Sequence, residues 1–162
     1  MRVERYIILV LCVCGLGIGT THAQLNTDRI TTIGRNALYF DDYVLSIQYF
    51  NQVIKLKPYL SEPYLLRAIA KIQLGDYSGA EQDCNLAIER NPFLPGAYYT
   101  RGYVYKLTNE LERAERDFSE ALIFAPENRT YIAMRADVRA EQEKFDAEYL
   151  SVSERLFQSA SL

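Results

Sequence analysis

SEPYLLRAIAKIQLGDYSGAEQDCNLAIERNP, residues 61–92, and PGAYYTRGYVYKLTNELERAERDFSEALIFAP, residues 95–126, are one pattern written twice at a constant offset. Tyr64 corresponds to Tyr98, Arg67 to Arg101, Ala68 to Gly102, Gly75 to Asn109, Ala80 to Ala114, and Ala87-Ile88 to Ala121-Leu122. Pro58, Pro92 and Pro126 close successive units at the same interval. A fixed period of about 34 residues belongs to stacked-repeat architectures, in which each unit buries its apolar face only against its neighbours. Working outward, a looser copy precedes the pair, with Gly34, Tyr43, Ser46, Phe50 and Val53-Ile54 at the matching places. A fourth follows, keeping Ala136, Phe145 and Leu156 but no closing proline. Terminal units meet solvent on one side and so lose part of the pattern.

Each central unit reads as two helices. Tyr64, Leu65, Ala68, Ile69 and Ile72 recur at three- and four-residue intervals, the stripe of an amphipathic helix. Ser61 stands as its N-cap, and Pro63 lies in the first turn, where no hydrogen bond is lost. Gly75-Asp76 breaks the pattern, and a second stripe follows at Tyr77, Ala80, Cys84, Ala87 and Ile88. Small residues at Ala68, Gly102 and Ala136 on first helices, and at Ala80 and Ala114 on second ones, allow close helix packing. Tyr43, Tyr77, Leu111 and Phe145 supply bulk near each turn. Arg67 and Asp83 lie on facing helices, and Arg101 and Asp117 repeat them at the same separation, a spacing that predicts ion pairs within each unit.

On these residues the chain resembles the tetratricopeptide repeat family over about residues 27–159. The resemblance implies an all-α, right-handed solenoid of about four helix–turn–helix repeats, near 27–60, 61–94, 95–128 and 129–159. It also implies a concave wall of first helices along which partner peptides lie. The family's best-known ligand mode clamps a C-terminal carboxylate with basic and amide side chains. The matching positions here hold Asp28, Thr32, Glu62, Leu66, Gly96 and Thr100, so that clamp is not expected. The expected binding residues are Leu65, Leu66, Ile69, Tyr99, Tyr103 and Lys106, with Leu38 and Met134 at the flanks, a surface suited to an apolar peptide or an amphipathic helix.

Residues 1–23 form a separate object. A short positive start at Arg2 and Arg5, an apolar run from Tyr6 to Ile18 and small residues at Thr21 and Ala23 have the organisation of a cleaved export signal. That run is shorter than the roughly 17–25 residues that span a bilayer, so no integral membrane segment is expected after cleavage. The repeat domain would then be residues 24–162, in a secreted or periplasmic protein. Removing 23 of 162 residues leaves 139, with Lys+Arg falling from 18 to 16 and Asp+Glu from 21 to 20, so the net charge moves from −3 to −4. The single histidine, His22, leaves with the signal, and Cys84 becomes the sole cysteine. Without histidine the common nucleophile–base pairs and the commonest metal ligand are missing. No glycine-rich phosphate loop is present. The expectation is therefore a non-enzyme with no cofactor and no metal. The acidic balance disfavours nucleic acid.

Two functions fit this reading. One is an exported adaptor or scaffold holding an apolar segment of a protein partner. The other is a structural or self-assembling element whose groove is filled by its own or a sister chain. On the last helix Phe145, Tyr149, Val152 and Leu156 form a stripe expected to pack back on the fourth unit. Leu150 and Phe157 fall off it, offering a route to a homo-oligomer.

Overall fold

The computed structural model describes residues 26–160, all of whose regular structure is helical. The export-signal reading of residues 1–23 lies outside the described residues. Two compact units divide the chain after Tyr59. The first holds α1 (residues 26–39) and α2 (Tyr43–Leu56). The second holds α3 (Glu62–Gln73), α4 (Tyr77–Arg90), α5 (Pro95–Leu107), α6 (Leu111–Phe124) and α7 (Arg129–Ala160).

The turns explain the period. Asp41, Gly75 and Asn109 have φ of 62°, 76° and 62°, one left-handed residue after each first helix. Glycine takes that conformation freely, and Asn and Asp tolerate it better than other side chains do. The next residue then starts the reversal: Asp42 Oδ1 accepts from Leu45 N at 3.1 Å and Asp76 Oδ1 from Gly79 N at 2.9 Å, capping α2 and α4. Ser61 occupies the N-cap of α3, but its side chain makes no capping bond, and Pro63 in the first turn carries the entry instead.

Close packing follows at the small residues. In the N-terminal unit a Cβ on Gly34 would lie 2.9 Å from the Phe50 ring, and Phe50 and Val53 are fully buried. In the second unit a Cβ on Gly102 would lie 3.0 Å from Phe118 and 3.1 Å from Asp117 Cβ, so α5 meets α6 at nearly bare backbone. Ala68, Ile72, Ala80, Cys84 and Val104 form one core, with Tyr105, Ala114, Phe118 and Val138 forming the next. Tyr103 packs against both.

The ion pairs expected from the repeated Arg–Asp spacing are present. Arg67 Nε donates to Asp83 Oδ2 at 2.8 Å, and Arg101 grips Asp117 through Nε at 2.7 Å and Nη2 at 2.8 Å. Both aspartates are buried, at 2 % and 5 % exposure. Lys71 adds a second cation on Asp83 at 2.9 Å. A two-pronged guanidinium is the geometry that keeps a buried carboxylate charged.

The fourth unit departs from expectation. Instead of a fourth helix pair, α7 runs unbroken for 32 residues. Glu143 occupies the place of Asn109 one repeat later, and a glutamate takes the left-handed turn that Gly75 and Asn109 make only at a cost. Ala136, which matches buried Ala68 and Gly102, is consequently exposed. Phe145, Tyr149 and Val152 do not pack back on the unit. They are 64 %, 68 % and 43 % exposed. Leu150 is exposed, while the side chains of Leu156 and Phe157 lie outside the described residues.

Two buried polar positions make the packing testable. Ser46, which matches Ala80 and Ala114, is fully buried and its Oγ has no hydrogen-bond partner among the described residues. Ser46→Ala therefore raises unfolding stability by about 1 kcal/mol in urea titration, since it removes a desolvated hydroxyl at constant shape. Asp117→Ala lowers it by about 3 kcal/mol, because Arg101 is left half-buried without its partner. A double-mutant cycle with Arg101→Ala returns a coupling of about 2 kcal/mol.

Candidate functional site, an apolar groove between first helices

Between α3 and α5 lies a cavity of about 320 Å³, lined by Leu65, Ile69, Ile72, Gln73, Gly96, Tyr99, Thr100 and Tyr103. The lining contains no charged side chain. Its floor is fixed by helix packing: Ile72 belongs to the core, and Thr100 is buried. Gly96 keeps the wall low, since a Cβ there would meet Leu65 Cδ2 at 3.2 Å.

Of the expected binding residues, Leu65, Ile69, Tyr99 and Tyr103 meet at this cavity. Tyr99 is held on two sides, stacked on Tyr131 at 4.7 Å between ring centroids and tilted against Phe118 at 5.7 Å. Burial pushes its hydroxyl above the usual tyrosine range. It is thus a rigid wall, with few conformations to lose on binding. The others are placed elsewhere. Leu66 is half-buried outside the lining. Lys106 is drawn into an ion pair with Asp137 of α7. Met134 packs on the core around Tyr105 and Phe118. Leu38 belongs to the N-terminal unit, half-buried on α1.

A polar lattice missed by pattern reading holds the neighbouring helices. Tyr105 Oη on α5 donates to Glu81 Oε1 on α4 at 2.7 Å, and Arg113 on α6 stacks 3.8 Å from the Tyr105 ring while also pairing with Glu81 at 2.9 Å. Burial and the Glu81 bond push the Tyr105 hydroxyl upward, so it stays a donor. Arg101 reaches beyond its own unit as well, to Asn85 Oδ1 at 2.7 Å. The step from Glu81 to Tyr105 recurs between Glu115 and Arg139, which bond at 2.6 Å. That repetition was the available signal.

Cys84, the one cysteine among the described residues, is fully buried, and desolvation pushes its thiol up to about 12. A thiol held protonated is a packing group, not a nucleophile. No group of three or more His, Cys, Asp or Glu among the described residues could hold a metal. No described helix is long and apolar enough to cross a membrane.

This geometry defines a class: an all-α helical-repeat protein whose adjacent first helices wall an apolar groove. The sequence model of the tetratricopeptide repeat matches the two central units, at residues 61–93 and 95–128. The chain is 33 % identical over 95 residues to mouse sperm-associated antigen 1, covering 59 % of this chain and 10 % of that protein. It is 34 % identical over 85 residues to a rice SGT1 homolog, covering 52 % and 23 %. It thus spans about a tenth to a quarter of these relatives. Among solved structures it is similar to the first TPR of Spaghetti (RPAP3) bound to an HSP90 peptide, with a TM-score of 0.70, 24 % identity, and coverage of 72 % of this chain and 93 % of that one. It is also similar to the Arabidopsis OM64 TPR domain, with a TM-score of 0.69, 25 % identity, and coverage of 71 % and 95 %.

Proposed function

We propose that this protein is a non-catalytic, exported adaptor whose α3–α5 groove holds an apolar peptide or helix of a partner protein. The carrying observation is the uncharged lining of that groove, with Leu65, Ile69, Tyr99 and Tyr103 around about 320 Å³. Apolar and aromatic side chains converging in a concave site are the usual makings of a binding surface. Two similar structures hold chaperone peptides, an HSP90 peptide SRMEEVD on Spaghetti and an HSP70 peptide SGPTIEEVD on human RPAP3. Those peptides are acidic. A carboxylate entering the present groove would meet no cation in its lining, and Lys106 nearby is already paired with Asp137. Leaving a charge desolvated and unpaired is costly, so the groove selects an apolar segment in place of an acidic tail. Export rests on the charge, length and cleavage pattern of residues 1–23.

The partner is identified by a photoreactive residue placed at Tyr103 in the full chain. Ile69→Asp then weakens its affinity by about tenfold or more, with the helical signal and melting transition retained. Unchanged affinity in a folded Ile69→Asp variant rejects the groove as the site. N-terminal sequencing of the protein from the producing cell begins at Gln24, and a chain still starting at Met1 rejects export by cleavage.

A further inference from the structure

The second half of α7 keeps a packing face that the backbone leaves uncovered. Phe145 stands one repeat after Leu111, and Val152 one repeat after Phe118. At those earlier places Phe118 is fully buried and Leu111 packs against the same core. Because α7 does not reverse at Glu143, Phe145 and Val152 share one straight helix with Ala136 and cannot fold onto it. Yet the face remains regular. Met134 and Val138 seat the first half of α7 on the core, and the same spacing continues through Phe145, Tyr149 and Val152 into solvent. Every residue from Glu143 to Leu150 is exposed. Where α7 passes the α5–α6 turn, an open cleft of about 880 Å³ separates the start of α6 from residues 139–146, with Leu111 and Phe145 among its walls.

The charges around this face select its occupant. Glu112, Glu143 and Asp146 line the cleft, and Glu148 borders the Phe145–Tyr149–Val152 stripe. The two arginines present are engaged, Arg113 by Glu110 and Glu81, and Arg139 by Glu115. A second copy would bring the same acid-flanked stripe against this one and set like charges together. An extended segment would find no strand edge among the described residues to pair with. A helix with apolar residues at the same spacing and cations beside them matches both shape and charge.

We propose that the projecting half of α7, with the cleft at the start of α6, is a second docking surface, one that receives a basic amphipathic helix of a partner protein. It is separate from the α3–α5 groove and stands or falls independently of it.

The test titrates the full chain into two labelled helical peptides sharing one leucine stripe, one flanked by lysine and the other by glutamate. The lysine peptide binds at least about tenfold more tightly, and its binding weakens as salt is raised. Phe145→Ala with Tyr149→Ala lowers that affinity about tenfold. The fold is spared because both side chains are exposed, as the unchanged helical signal reports. Ile69→Asp leaves the binding unaltered, which separates this surface from the groove. Equal binding of the two peptides, no binding of either, or indifference to the double substitution overturns the proposal. So does a dimer in sedimentation that the same double substitution dissolves, for then a second copy covers the face.

Discussion

One left-handed residue after each first helix is the constraint on which everything else depends. At Asp41, Gly75 and Asn109 the chain turns back within a few positions, and the following helix is delivered antiparallel to the one before it. Only then can Gly34 meet Phe50, or Gly102 meet Phe118, at near-backbone distance. Where that residue is absent, at Glu143, the helix simply continues and the packing partners are carried apart. The turn has no apolar content of its own, yet it decides which apolar surfaces are covered.

Hydrophobic burial inside each unit is non-directional and leaves the sliding of one helix on another weakly defined. Directed polar contacts set the register. Asp83 and Asp117, buried under arginine forks, lock first helix to second. Tyr105, held between Glu81 and Arg113, locks α5 to its neighbours on both sides. This lattice lies away from the α3–α5 groove, so the groove is rigid without carrying charge.

Much of this was legible in the residues. The repeat period gave the helix pairs, the recurring Arg–Asp separation gave both ion pairs, and the wall of first helices pointed to Leu65, Ile69, Tyr99 and Tyr103, which meet at one cavity. Helical periodicity fixes the face on which a side chain lies, and for these positions that was enough. It does not fix what lies opposite. Lys106, an expected binding residue, is taken by Asp137 on a later helix, and Met134, expected at the flank, is packed against the core. Both depend on where α7 crosses α5 and α6, a distance and angle that no local pattern encodes. Glu143 disfavours the turn that the family resemblance implies there, and α7 runs through it unbroken.

By itself, then, the sequence determined the unit, its two helices, its turn residues and the chemistry of each face, because backbone conformation and periodicity are local properties. Tertiary structure decided which faces are covered. The groove between α3 and α5 stays open because Gly96 keeps its wall low while α4 and α6 pack on other sides. The stripe on α7 stays open because a helix that does not turn cannot bury its own continuation. Burial belongs to pairs of surfaces, and only the folded chain brings the pairs together.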